Sequence, residues 1–456
     1  MSTSPKTTNR DIALDARSRL KQWLESGEAK LFPLSLPQRE LWEASPVPVA
    51  DTANHICCLI QVRGLLTERD CRTAIQRVVD RQEVLRLSFL PGREGPLQMI
   101  RKNCEVNCAF RDLSPADGRP ERIEELAAEI FHQPFDLVQG PLYRVVDLRR
   151  APDDHVLVFA IHHSIADGWS LGVFVQELFA AYLHALTQST EPLPAVALAY
   201  TAWDATERAF WQPAMLEERA EYWKSKLVGK RRIWDSPIAP GLPLRWLSRI
   251  PAALVDQARE IGRAAGATLF ETLLAAFQIA LSRWTERDDI LVGTPVANRS
   301  RPAVRETMGY CSNIVPLGGE IDCTRPFADH LRGVHRTTMD AFAKAMPFAE
   351  LARALGEHSA PGYNPIFEVR FALQNHPIPD VSLPNLSARL SMRSTGTARF
   401  QLGCEITEDR DGPEVAWLFR ENLFSQHDIE EVDGIFQQVL VGVCRAPQSR
   451  SCDLLN

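Results

Sequence analysis

No stretch of this sequence is an uninterrupted apolar run of the length a membrane-spanning helix needs. The first eleven residues, Met1 to Asp11, are polar and carry no apolar core, so they do not read as a secretory signal. Positive charge is not in excess. The 51 lysines and arginines stand against 58 aspartates and glutamates, a net charge of −7. That balance disfavours a general surface for nucleic acid or anionic lipid and leaves room only for a local basic patch. The ten cysteines contain no Cys-x-x-Cys; Cys57 and Cys58 are adjacent, and Cys104 and Cys108 are four apart. A thiolate zinc site or a thioredoxin-like pair therefore has little sequence support, and most of the cysteines are expected to be buried free thiols. No short-period repeat is present. The expectation is a reducing, cytoplasmic setting with no membrane or nucleic-acid partner.

What is present is enough chain for two cores. The 456 residues exceed one ordinary domain, and 45% hydrophobic with 24% charged residues is a globular composition. We divide the chain into a leader with a short helix (1–30), an N-terminal lobe (31–190) and a C-terminal lobe (191–456). The boundary is set by the Pro-rich, small-polar run Thr187 to Ala197. Helical spacing predicts helices over Ala13–Ser26, Leu66–Leu87, Leu171–Leu186, Leu273–Trp284 and Ile429–Cys444. Thr268 and Glu271 form a capping box that opens the fourth. Strands are expected at Ala53–Val62, Val156–Ile161, Ile290–Val292, Ile366–Leu373 and Val415–Phe419. The second is continuously apolar and so expected to be buried on both faces. Strand and helix alternate in both halves, which predicts an α/β fold of two related lobes.

The chemistry concentrates where Val156–Ile161 ends, in His162-His163-Ser164-Ile165-Ala166-Asp167-Gly168. This segment falls in a tight strand-to-helix turn. Gly168, lacking Cβ, permits unusual backbone or close substrate approach. Histidine titrates nearest neutrality and so takes and returns a proton at cellular pH. Adjacent histidines leaving a strand point to opposite sides, so one of them faces a cleft. Asp167 is placed to orient an imidazole or to pair with an arginine. A single histidine at a strand end is more often a satisfied core residue. A His-His-Asp metal site needs a third or fourth ligand, and none is visible nearby. The whole pattern is more specific than either alternative.

These residues resemble the condensation domains of nonribosomal peptide synthetases, and the resemblance extends over nearly the whole chain in the family's motif order. Leu34-Ser35-Leu36-Pro37-Gln38-Arg39-Glu40-Leu41-Trp42 resembles the opening motif. Arg81 to Phe89 resembles the second, with Gln82 in place of the usual histidine. His162 to Ser170 matches the signature, Trp169 and Ser170 included. Tyr200 to Trp203 is a partial match to the next motif, and Gly293 to Arg299 a full one. Met308 to Asn313 is similar to Gly-x-Phe-Val-Asn, with Cys311 and Ser312 as departures. Met346-Pro347-Phe348 and Asn364 to Val369 resemble the last two.

The resemblance implies two chloramphenicol-acetyltransferase-like lobes in a V, with the active site in a tunnel between them. It implies His163 as the residue that deprotonates or positions the acceptor nucleophile. His162 is then structural, Asp167 pairs with an arginine for which Arg299 is the candidate, and Gly168, Trp169 and Ser170 lie near the substrate and its oxyanion. It implies no cofactor or metal bound by this chain. The donor's phosphopantetheine arrives on an acyl- or peptidyl-carrier protein, and the acceptor is an amine, an alcohol or a second carrier-bound group.

Relatives of the same fold remain as alternatives. Heterocyclization relatives replace the histidine pair, which is kept here, and no match to the epimerization glutamate motif is found. Coenzyme-A-dependent acyltransferases share His-x-x-x-Asp-Gly, but their Asp-Phe-Gly-Trp-Gly motif is absent. A non-catalytic, carrier-binding lobe pair is the alternative of another class, against which the intact histidines argue. No adenylation or carrier segment is found, so a freestanding enzyme is expected. The basic stretch Lys224 to Arg232 reads as a solvated helix end rather than a docking patch.

Overall fold

The computed structural model describes residues 18 and 20–454, apart from 46, 94, 114–116, 187–192, 235, 238–242, 358–359, 361, 375–380, 384, 394–399 and 409–411. Residues 13–17 and 19 of the expected helix over Ala13–Ser26, and residues 187–192 of the proposed boundary, lie outside the described residues; residues 18 and 20–25 are helical.

The strands are β1 (Ala29–Pro33), β2 (His55–Gly64), β3 (Leu87–Leu90), β4 (Leu97–Arg101), β5 (Cys108–Asp112), β6 (Tyr143–Ala151), β7 (Asp154–His162), β8 (Pro243–Arg249), β9 (Asp289–Val296), β10 (Asn313–Glu320), β11 (Val369–Gln374), β12 (Val381–Leu383), β13 (Leu386–Arg393), β14 (Leu402–Thr407) and β15 (Glu414–Arg420). They form two six-stranded mixed sheets, ordered β12-β13-β2-β7-β6-β5 and β10-β9-β11-β14-β15-β8, and a small sheet β1-β4-β3. Helices pack on both large sheets, an α/β architecture. In the first, β7 is central and buried from His155 to His162, as its continuous apolar run requires. Phe159 of β7 stacks on Phe174 of the helix Gly168–Leu186 at 4.1 Å, which fixes that helix against the sheet directly behind the histidine turn. In the second, the helix Leu269–Thr285 opens with the Thr268–Glu271 capping box and is almost wholly buried. Its Phe277 meets Phe371 at 4.7 Å, Trp417 at 5.8 Å and Phe436 at 5.8 Å.

Two elements differ from the sequence expectation for local reasons. The helix expected over Leu66–Leu87 spans Glu68–Arg81, because Gln82 is extended (φ −98°, ψ 107°) with its side-chain amide committed elsewhere; a 3-10 turn and β3 follow. The strand expected from Ile366 starts at Val369. Before it, Asn364 Oδ1 accepts the Ile366 and Phe367 amides in a turn, which takes those donors out of any ladder.

The cores do not divide at residue 190. After β11 the chain leaves the second sheet, lays β12 and β13 on the first, and returns as β14. β13 pairs with β2 from Leu386↔Gly64 to Arg393↔Cys57. Tyr200, Trp203, Val304, Met308 and Cys311 are also buried in the first lobe's core. An uncovered β2 would present a row of unpaired amides and carbonyls, and the borrowed strands remove that edge. Among the described residues no single helix is long and apolar enough to cross a membrane.

A half-buried histidine ties stability to pH. His330 is pushed down to about 4, chiefly by burial, against the pull of the Ala275 carbonyl. His55 is lowered for the same leading reason. A lowered histidine is neutral in the folded state, so its contribution is complete above its unfolded value near 6.5 and is lost as pH falls towards the folded value. We predict that the melting temperature falls between about pH 6.5 and pH 4, with His330 contributing about 3 kcal/mol over that window. His330→Phe should flatten the curve; an unchanged pH profile would refute the assignment.

Candidate active site

The ladder between β2 and β7 ends on the pair His55↔His162. His162 is fully buried, and both ring nitrogens are engaged. Nδ1 accepts the Ser164 amide (3.1 Å) and meets the Ser164 hydroxyl (2.6 Å); Nε2 lies 2.9 Å from the Val49 carbonyl. A carbonyl only accepts, so the network places the proton on Nε2 and holds the ring neutral. His162 therefore spends its hydrogen bonds on the turn itself.

His163 begins the 3-10 turn His163–Ile165 and is half-buried, and its ring meets a neighbour that the His162 ring does not. Its ring lies 4.6 Å from that of Tyr310 in an edge-on arrangement. The turn is held from the opening motif. Gln38, inside the Ser35 capping box, donates from Nε2 to the Ser164 carbonyl (2.9 Å) and to Gln98 Oε1 (3.0 Å), and Gln98 donates to the Pro33 carbonyl (2.7 Å). Gln38 sits in the quoted motif; Gln98 carries no local sequence signal.

Asp167 and Arg299 meet, 132 residues apart in sequence. Arg299 Nη2 donates to Asp167 Oδ1 at 3.0 Å and to Oδ2 at 3.1 Å, with both side chains buried. Burial opposes the guanidinium charge, and the Asp167 carboxylate outweighs it, so Arg299 is raised above its usual value. Asp167 Oδ1 also accepts from the Ser170 amide (3.0 Å) and hydroxyl (2.9 Å), and Oδ2 from the Cys311 and Ser312 amides (both 3.2 Å). Arg299 further donates to the carbonyls of Val304 (2.9 Å), Thr307 (2.6 Å) and Gly309 (3.1 Å). This cluster fastens the histidine turn to residues 299–312. Asp167 uses the backbone of Cys311 and Ser312, so the side-chain departures from the motif there leave its contacts intact.

Gly168 opens the helix Gly168–Leu186 and is half-buried. Trp169 donates from its indole to the Arg305 carbonyl (2.8 Å), beneath the Arg299 guanidinium at 5.9 Å. Ser170 is fully buried; its amide goes to Asp167 and its hydroxyl to Asp167 and Gly309. Of the three residues expected near the oxyanion, Ser170 thus has its amide and hydroxyl, and Trp169 its indole, engaged within the protein.

The remaining motifs interlock around this centre. Gly309 is required because a Cβ there would lie 2.2 Å from the Tyr200 ring. The Tyr200 hydroxyl donates to the Tyr310 carbonyl (3.0 Å) and is 2.7 Å from Ser35 Oγ. Asn313 donates to the Met346 carbonyl (2.7 Å) and accepts the Phe348 amide (3.0 Å). Gly293 leaves room for the Phe367 ring, which a Cβ would meet at 2.0 Å. Gln82 donates to Glu177 (2.6 Å) and to the Glu306 carbonyl (2.9 Å) and accepts the Met308 amide (3.0 Å), a structural tie to the same segment. In the basic stretch, Lys224 and Lys226 lie in the last turn of the helix Pro213–Leu227. Arg232 is committed to Glu368 (2.7 Å), the Asn364 carbonyl (2.6 Å) and the face of Tyr363. Among the described residues, no group of three or more His, Cys, Asp or Glu side chains is arranged to hold a metal ion.

The chain as a whole has counterparts among known proteins. The family model named Condensation domain matches residues 28–455. One linear gramicidin synthase polypeptide of Brevibacillus parabrevis is 30% identical over 435 residues, which cover 93% of this chain and 8% of that protein. Another polypeptide of the same synthase is 29% identical over 432 residues, covering 91% and 8%. Chondramide synthase cmdD of Chondromyces crocatus is 28% identical over 436 residues, covering 93% and 11%. The chain thus spans about a tenth of these relatives' length. Among solved structures, the SgcC5 protein from Streptomyces globisporus superposes with a TM-score of 0.79 at 24% identity, covering 92% of this chain and all of that one. The condensation domain from Monacolin K polyketide synthase MokA gives 0.80 at 18% identity, covering 92% and 99%. These likenesses agree with the two-lobed, chloramphenicol-acetyltransferase-like α/β fold expected from the motifs. With the family model matching nearly end to end, and with the motifs assembled around His163, the chain belongs to the condensation-domain family.

Proposed function

We propose that this chain transfers an acyl group from the phosphopantetheine thioester of an acyl- or peptidyl-carrier protein to an amine or alcohol, forming an amide or an ester. The observation that carries the reading is the disposition of the two histidines. His162 is neutral and locked by Ser164 and Val49, whereas His163, in the same braced turn, is half-buried beside Tyr310. In the proposed reaction the acceptor's lone pair attacks the thioester carbonyl, and a His163 ring nitrogen takes the acceptor's proton. The C–S bond then breaks, and the proton passes to the departing thiolate. A thioester is already activated, so alignment, one proton shuttle and stabilisation of developing charge suffice. Gly168 is the proposed backbone neighbour of the reacting carbonyl. Asp167, Arg299, Ser170 and Trp169 hold the turn. The chain itself needs no metal or bound cofactor for these steps.

The donor is the point to test. Carrier-borne and coenzyme-A donors end in the same arm, so His163 meets the same thioester. A carrier adds protein contacts, whereas coenzyme A must be held by its phosphates. Arg232, in the one dense basic stretch, is already committed to Glu368, which favours the carrier reading. We predict that kcat/KM for an acyl-carrier protein exceeds that for the matching acyl-CoA by at least ~10²-fold, or about 2.7 kcal/mol. Intact mass spectrometry of the carrier, offered a panel of amines and alcohols, reads the transfer. Equal efficiency with acyl-CoA would replace this reading with that of a coenzyme-A-dependent acyltransferase.

A further inference from the structure

The Tyr310 side chain is 2% exposed and reaches in two directions. Its ring lies 4.6 Å from the His163 imidazole, centre to centre, at an interplanar angle of 66°. Its hydroxyl donates to a carboxylate oxygen of Glu40, which is 3% exposed. Glu40 starts the π-helical turn Glu40–Ala44, directly after the capped helix Leu36–Arg39. That segment is itself pinned: Arg39 bonds Glu43 at 2.7 Å and Glu350 at 2.5 Å. A buried carboxylate accepting from a phenol is costly to leave unmatched, so the phenol is fixed in place. The edge-on contact with an aromatic neighbour then limits how the imidazole turns about its χ angles.

We propose that Tyr310, anchored by Glu40, is the positioning residue that sets the orientation of the His163 ring. This deepens the reading of His163 as the proton acceptor and rests on it. A general base must lie in line with the proton it takes, and misplacement by about 1 Å costs on the order of 10²-fold in rate. Removing the ring removes the constraint. Removing only the hydroxyl leaves the ring in place but loosens its anchor.

The test uses the full chain with two readouts, one of them independent of turnover. In protein carrying ¹³C-labelled histidine, the His163 Cε1–H resonance is identified by its loss in His163→Gln. Tyr310→Leu is expected to move that resonance, because the ring current of Tyr310 is gone. It is also expected to lower kcat by ~10²-fold with the donor KM changed less than about threefold. Tyr310→Phe and Glu40→Leu are each expected to broaden the resonance and lower kcat by roughly tenfold, and the double variant to be no worse than either alone, since the two act as one unit. Glu40→Gln, which keeps an acceptor oxygen for the phenol, should restore most of kcat. A His163 resonance unmoved in Tyr310→Leu, a change confined to KM, or additive losses in the double variant would each overturn the proposal. If Tyr310→Leu fails to fold, the resonance in Tyr310→Phe decides, and an unchanged line there counts against the proposal. If the wild type transfers no acyl group from any donor, the proposed function fails, while the resonance still reports whether Tyr310 orients the ring.

Discussion

In the His163→Ala protein, acyl transfer is expected to fall by ~10²–10⁴-fold, the assistance a well-placed general base provides, with the melting temperature close to that of the wild type. His163 is half-buried and takes no part in the bonds of the His162 ring to Ser164 and Val49, so its loss leaves them in place. His162→Ala should behave in the opposite way. That side chain is fully enclosed and serves the Ser164 amide and the Val49 carbonyl, both of which lose their partner. Such losses cost about 1–3 kcal/mol for each buried group left unmatched. Steady-state transfer and thermal melting on the two variants separate the roles. Near-wild-type turnover in His163→Ala with a slow acceptor would show that alignment alone drives the reaction.

The second large effect lies in the Asp167–Arg299 pair. Removing either partner strands the other charge in the interior, at a cost of about 3–5 kcal/mol. The two side chains are 4% and 1% exposed, so solvent offers the stranded charge little relief. Asp167→Ala and Arg299→Ala should each lower the melting temperature, and the double variant should lose less than the sum, with a coupling of about 0.5–3 kcal/mol. Activity should fall with stability in both, because Asp167 also anchors the Cys311 and Ser312 amides beside Tyr310. An additive double-mutant cycle would mean that the pair is not a unit.

Much of the molecule was legible along the chain. The continuous apolar run before His162, the Thr268–Glu271 capping box and each single motif are local signals of about ten residues or fewer. A short window of sequence carries such signals whole, because strand burial and helix capping are satisfied by neighbours in the chain. The histidine pair with Asp167 and Gly168 was legible for the same reason, and the pairing of Asp167 with Arg299 came from the resemblance rather than from spacing. Tertiary structure alone decided the rest. Which histidine is locked depended on Val49, 113 residues away in sequence. The anchor of Tyr310 lies 270 residues away at Glu40. The first sheet is completed by β12 and β13, from the far half of the chain, because β2 had an edge to cover and those strands were within reach. Such partners are chosen by the geometry of buried, unpaired polar groups, and that geometry exists only once both lobes have closed on each other.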